Sequence, residues 1–240
     1  MECYFTNHKT NNILILDEED SKHLIKVLRH KINDEIVIIH QEQKYLTKII
    51  EITSVIKCEI IKTVPNSNSE SRCKITLVIS LLKEQKFDLV IQKAVELGVY
   101  QIVPLQLKRC VSILTRTKAE QKVLRWQNIA KAAAKQSNRN LISIVTPVVF
   151  DLKQLERYRS HLNLVAYENS SETSWISQIN NKLSSITIIV GPEGGITKEE
   201  IATLTQLNFS NISLGKLILR AETAPLFLMS IINYETILKS

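Results

Sequence analysis

From Lys74 onward, short continuous apolar runs alternate with segments of helical periodicity, a pattern that points to a parallel sheet with crossover helices. Strands are predicted at Ile75–Leu81, Ile102–Leu105, Asn163–Ala166, Ile186–Val190 and Asn211–Leu214. Helices are predicted at Phe87–Leu97, Lys118–Gln136 and Glu222–Leu238. In the first helix Phe87, Val90, Ile91, Ala94 and Val95 share one face, and Gly98 follows as the residue beyond the cap, where a positive φ costs little. In the second, Val123, Trp126, Ile129, Ala130 and Ala133 point inward, leaving Lys122, Arg125 and Lys135 largely outward.

The preceding 65 residues have a different texture. Apolar runs at Ile13–Leu16, Ile36–Ile39, Tyr45–Ile52 and Cys58–Thr63, separated by polar turns, predict a β-rich unit interrupted by one helix at Glu18–His30. Val64 to Ser71 is polar, contains Pro65 and lacks periodicity, so the domain boundary is placed there, giving domains of 1–67 and 72–240. With 44% hydrophobic residues, both can bury a core.

Several classes are excluded by what the chain lacks. Its longest apolar runs fall short of the roughly 18 to 20 residues that span a bilayer. The N-terminal residues do not have the pattern of a secretory signal, so a cytoplasmic protein is expected. Cys3, Cys58, Cys73 and Cys110 form no C-x-x-C pair, and the five histidines show no ligand spacing, so no metal is expected. Positive charge is uneven: residues 83–139 hold 12 basic and 4 acidic side chains. Such a concentration suits a polyanionic partner or, equally, a solvated helix face.

Glycine is scarce, and four of the five, Gly191, Gly194, Gly195 and Gly215, fall within one short stretch. Gly191-Pro192-Glu193-Gly194-Gly195 follows the buried run Ile186–Val190, at the carboxyl end of a parallel strand, where open α/β sheets bind ligands. Thr197 and Glu200 then form a capping box, with Ile196 and Ile201 placed as a staple. A plain tight turn before a helix would also account for this loop, which is neither a P-loop nor a G-x-G-x-x-G fingerprint. Leu214 to Pro225 joins another strand to the last helix. Arg220 ends its apolar run, where a buried cation needs an anionic ligand or a salt bridge to Glu222 or Glu193.

Taken together, these motifs resemble the ribosomal RNA small subunit methyltransferase E family of the knotted SPOUT class. The resemblance rests on His23-Leu24 with Val27-Leu28-Arg29, Lys93 to Val99 with Pro104, and Gln136-Ser137 with Arg139. It also rests on Gly191 to Gly195 and on Leu214-Gly215 with Leu219 to Ala224. It covers essentially the whole chain. The implied fold is α/β, a SPOUT-type C-terminal domain with a deep trefoil knot, preceded by a small PUA-like β-barrel that helps hold RNA.

The resemblance further implies a homodimer that uses S-adenosylmethionine to methylate N3 of one uridine in 16S ribosomal RNA, within the small ribosomal subunit. By match, the donor is held by Tyr167, Glu168, Val190, Gly191, Pro192, Glu193, Gly194, Gly195, Leu214, Gly215, Leu219, Arg220, Glu222, Thr223 and Ala224. Arg220 is the catalytic candidate, stabilising charge on a uracil oxygen or positioning a phosphate, and Glu222 is a second. Lys26, Arg29, Arg109, Arg125, Gln136 and Arg139 are the RNA candidates. The chain departs from the family pattern at Lys135, usually acidic, at Asn138, usually glycine, and at Cys110, usually serine. Two other readings fit: a SPOUT enzyme acting on a ribose 2′-oxygen or a tRNA base, and a non-catalytic RNA-binding assembly factor.

Overall fold

A computed structural model describes residues 3–65 and 70–238, and the predicted boundary at 64–71 falls partly outside them. The chain forms two compact units, Met1–Glu70 with Ala134–Ile142, and Ser71–Ala133 with Ser143–Ser240.

The first unit is built on β1 (Cys3–Phe5), β2 (His8–Thr10), β3 (Ile13–Ile15), β4 (Glu35–His40), β5 (Gln43–Ile52) and β6 (Ile56–Val64). They form one sheet in the order β1-β4-β5-β6-β3-β2, antiparallel except where β1 meets β4. Alternation along the strands turns Leu14, Ile36, Ile38, Ile49, Ile56 and Cys58 into a core, closed by Leu24 of helix α1 (Glu18–Lys26). That helix stops short of the predicted His30. Arg29 adopts φ 58°, and Asp34 then holds a turn by accepting from the Lys31 backbone N–H and pairing with His30. The Lys31 amide, with help from His30, keeps the Asp34 carboxyl below its ordinary value.

Residues 134–142 carry two of the departures from the family pattern, and both fit their surroundings. Asn138 lies beyond the end of a helix with φ 57°, a conformation asparagine tolerates better than most side chains. Its side-chain oxygen accepts from Lys44 at 3.0 Å and from the Cys3 thiol at 3.2 Å. Lys135, expected outward, instead pairs with the buried Asp20 and lies over the Tyr4 ring.

The second unit contains β7 (Lys74–Ser80), β8 (Gln101–Leu105), β9 (Ile144–Val145), β10 (Leu162–Ala166), β11 (Ser185–Val190) and β12 (Ser210–Ile212). Their order is β12-β10-β11-β7-β8-β9, and each pairing is parallel, as the alternation predicts. Central strands β7 and β11 are buried along nearly their whole length, which is why they read as unbroken apolar runs. Between and around them run α2 (Glu84–Glu96), α3 (Arg116–Gln136), α4 (Lys198–Gln206) and α5 (Thr223–Asn233), with a wider helical turn at Tyr234–Leu238.

Local chemistry sets where these helices begin and end. Helix α2 buries the five predicted residues and stops at Gly98, φ 82°, whose N–H bonds to Val95 while that of Val99 bonds to Ala94. Helix α4 opens on the predicted capping box, with Thr197 and Glu200 exchanging hydrogen bonds and both Ile196 and Ile201 buried. Strand β12 ends two residues before the predicted Leu214, which frees Ser213 and Leu214 for the loop that follows.

Candidate functional site

Because the sheet is parallel, the loops after β10, β11 and β12 leave from the same edge, and these three strands are neighbours. They surround a cleft of about 490 Å³, within the range of small-molecule sites. It is lined by Ala166, Val190 and Ala224, by Tyr167-Glu168, by Gly191, Pro192, Glu193, Gly195 and Ile196, and by Ser213 to Ala221.

The glycines keep this cradle open. A Cβ on Gly191 would meet Ile196 Cγ1 at 2.6 Å, so no side chain fits without moving the staple residue. Gly195 has φ 73°, and a Cβ there would stand 3.0 Å from a Glu168 carboxylate oxygen. Gly215, φ 106°, has open space around it and is needed for its backbone alone. Gly194 does not line the cleft: its carbonyl accepts from Arg109 Nη1 at 3.2 Å, and a Cβ there would meet the Arg109 Cβ and carbonyl oxygen at 3.0 Å.

Of the predicted donor residues, Tyr167, Glu168, Val190, Gly191, Pro192, Glu193, Gly195, Leu214, Gly215, Leu219, Arg220 and Ala224 line the cleft. Gly194, Glu222 and Thr223 are not among its lining residues. Sequence reasoning passed over Ala166, Ile196, Ser213 and one charged residue, Lys86, in the first turn of α2 after β7, which leaves the sheet at the same edge. Lys86 Nζ lies 3.3 Å from Glu193 and 3.1 Å from Glu222, so it ties together the loops after β11 and β12. The contact to Glu222 is an ion pair that departs from hydrogen-bond direction. Glu222 is the main cause that raises the Lys86 ammonium above its ordinary value. Partial burial opposes ionisation of Glu222, but its own backbone N–H, Lys86 and Arg220 outweigh it and keep the carboxyl low.

Arg220 is not the buried cation that its apolar run suggested. Leu217 is 80% and Ile218 93% exposed, and Arg220 itself is exposed at the rim. It makes no ion pair among the described residues, because Glu193 and Glu222 are taken by Lys86. The guanidinium is available to a ligand.

The RNA candidates divide. Lys26, the last residue of α1, and Arg29, just beyond it, are exposed, Gln136 is exposed at the end of α3, and Arg109 is exposed beside the Gly194 turn. Arg125 is held by Asp88 through two bonds, at 2.7 and 2.5 Å, in a bidentate pair. Arg139 is 3% exposed and gives its guanidinium to Glu70. Both guanidiniums are thus engaged by a carboxylate of their own unit. Cys110, in the serine position, is buried, and its sulfur accepts from the Leu107 N–H at 3.2 Å, as a hydroxyl oxygen would. Among the described residues no cluster of side chains is arranged to hold a metal.

Comparison with known proteins adds to this geometry. An RNA methyltransferase domain family matches residues 69–233, and an RNA methyltransferase PUA domain family matches 16–62. The ribosomal RNA small subunit methyltransferase E of Bacillus subtilis is 40% identical over 178 residues, covering 71% of this chain and 70% of its own. That of Mesomycoplasma hyopneumoniae is 36% identical over 231 residues, covering 96% and 98%. The Neisseria gonorrhoeae ribosomal RNA small subunit methyltransferase E, solved bound to S-adenosyl methionine, superimposes with a TM-score of 0.85 at 28% identity, over 97% of each chain. A Legionella pneumophila chain described as a methyltransferase in complex with SAM gives the same TM-score at 27% identity, over 97% and 96%.

Proposed function

Since the chain belongs to the ribosomal RNA small subunit methyltransferase E family, we propose that it methylates N3 of one uridine in 16S ribosomal RNA. It is an S-adenosylmethionine-dependent methyltransferase of small-subunit ribosomal RNA, with a PUA-like first domain and an α/β second domain. The observation that carries the reading is the cleft between the Gly191–Gly195 and Ser213–Ala224 loops. Gly191 and Gly195 cannot gain a side chain without displacing Ile196 or crowding Glu168, both of which line it, as suits a backbone-lined cradle for a small ligand. We assign donor contacts to the predicted residues that line it, the Arg220 side chain excepted, and add Lys86.

The donor supplies, when bound, an electrophilic methyl on a cationic leaving group. What remains for the chain is to align the uracil, exclude water and favour loss of the N3 proton. Arg220, exposed at the rim without an ion pair, is suited to donate to a uracil oxygen as negative charge develops, or to hold a neighbouring phosphate. Glu222 is held low and Lys86 high, so neither is poised to exchange a proton near neutral pH. Their part is to hold the loops, with Glu222 acting on Arg220 through its charge.

The proposal extends to a cytoplasmic homodimer acting in the small ribosomal subunit, with domains at 1–67 and 72–240 and a knotted second domain. Leu217 and Ile218 support the dimer, because two apolar side chains so exposed at a cleft mouth suit a covering surface. The deciding experiment is methylation in vitro of small-subunit particles and of naked 16S RNA, with mass spectrometry of the nucleosides. 3-Methyluridine is expected. A 2′-O-methyl nucleoside would move the reaction to ribose, and no transfer to either substrate would overturn the reading.

A further inference from the structure

The 12 basic residues of 83–139 are not equally available. Lys86, Lys93, Lys122, Arg125, Lys135 and Arg139 each pair with a carboxylate of their own unit. Helix α3 therefore loses much of the positive character its sequence suggests. Apart from Lys83, what remains exposed gathers in one segment, between β8 and the first turn of α3. Residues 107–118 contain Lys108, Arg109, Arg116 and Lys118 and no acidic residue. Lys108, Arg116 and Lys118 are exposed and make no ion pair among the described residues.

Two further features fit this segment to a ligand. It is braced from below, since Glu200 accepts from the Lys108 N–H at 2.8 Å and Gln106 accepts from the Leu114 N–H at 2.7 Å. Its side chains are thereby presented on a fixed backbone, with Val111 60% and Ile113 73% exposed. It also leaves the sheet at the edge that carries the cleft, and Arg109 bonds the Gly194 carbonyl of the cleft's own loop. A polyanion lying on this strip is led to the mouth. Glu199, at the start of α4, is within electrostatic reach of Lys108 and Arg109 and offsets part of their charge.

We propose that residues 107–118 form a docking strip for a single-stranded stretch of the substrate RNA. Lys108, Arg116 and Lys118 contact phosphates, and Val111 and Ile113 lie against ribose and base faces. This rests on the reading of the chain as a ribosomal RNA methyltransferase. An unpaired strand suits the strip better than a duplex, because exposed Val and Ile can meet only bases that are not stacked.

The test is equilibrium binding of 16S RNA to the full chain without donor, across a salt series, for wild type, Lys108→Ala, Arg116→Ala/Lys118→Ala, Val111→Ser/Ile113→Ser and Lys122→Ala. Thermal melts confirm folding. The strip's charge variants are expected to bind more weakly, with the slope of log affinity against log salt shallower by about 0.7 for each phosphate no longer neutralised. The Val111→Ser/Ile113→Ser variant is expected to bind more weakly with the slope unchanged. Lys122→Ala should bind as wild type. Unchanged binding in the strip variants, an equal loss in Lys122→Ala, or a change in sedimentation instead of RNA affinity overturns the inference. Wild type that binds RNA yet transfers no methyl overturns the functional reading and leaves the strip standing, whereas wild type that binds no RNA overturns both.

Discussion

Glu200 accepts a 2.8 Å hydrogen bond from the backbone N–H of Lys108, 92 residues earlier in the chain, while its second oxygen caps the Thr197 N–H. One buried carboxylate thus joins the helix that ends the glycine loop to the segment that carries Arg109. Replacing it with alanine removes two charge-assisted bonds and leaves two amides without partners. Glu200→Ala should lower stability by roughly 2–4 kcal/mol in urea unfolding, since bonds to charged groups contribute about 1.5–3 kcal/mol each. Glu200→Gln keeps one acceptor and should recover part of the loss.

Gly195 and Gly98 both have positive φ, but only Gly195 is also crowded. Gly98→Ala should cost about 1 kcal/mol of stability, the usual penalty for a side chain in this conformation, and leave methyl transfer unchanged. Gly195→Ala meets that same penalty and drives a methyl toward Glu168. Its expected signature is a weaker affinity for S-adenosylmethionine by calorimetry, out of proportion to the change in melting temperature. Equal effects of the two substitutions on donor binding would refute the role given to Gly195.

Where a feature depends on neighbours in sequence, it could be read directly. The Thr197–Glu200 box, the Gly98 termination and the buried runs of β7 and β11 span a few residues each, and the structure contains them as read. Strands β1, β2 and β9 are only three, three and two residues long, too short for a period to register, and β2 is wholly exposed. The charges were the least legible. Arg125, Arg139 and Lys135 look alike to a composition count, yet their partners Asp88, Glu70 and Asp20 lie 37, 69 and 115 positions away. Lys86 escaped for the same reason, since Glu193 is 107 residues distant.

The Lys86 bridge should make the cleft sensitive to charge at its far wall. Glu222 is held below the usual carboxyl value of 4.5, so its contribution is present above 4.5 and is lost as pH falls through the lowered value. Lys86 is held above the usual ammonium value of 10.5, so its contribution is present below 10.5 and is lost as pH rises through the raised value. Donor affinity should accordingly show no step from this pair anywhere between. Lys86→Met, which keeps the stem and removes the charge, should weaken donor binding at neutral pH, and Lys86→Arg should restore much of it. A Lys86→Met variant with wild-type affinity would show that the loops hold their places without the bridge.

Arg220 offers the sharpest separation between binding the donor and using it. Its backbone carbonyl accepts from the N–H groups of Thr223 and Ala224 at 2.8 and 3.0 Å, which fixes the main chain at the start of α5 whatever the side chain is. Only the guanidinium reaches the rim, and no ion pair among the described residues depends on it. Arg220→Ala should therefore leave the fold and the donor affinity close to wild type while lowering methyl transfer to small-subunit particles by about 100-fold or more, the scale for losing one donor to a developing oxyanion. Arg220→Lys keeps the charge but not the fork, and should recover little if the target is a uracil oxygen approached along one direction, but more if it is a phosphate met as a point charge. Kinetics at varied RNA concentration separate the two roles. A fall in kcat at saturating RNA places the guanidinium at the reacting base, and a rise in KM alone places it on the backbone of the substrate. Retained turnover with unchanged KM would remove Arg220 from the reaction.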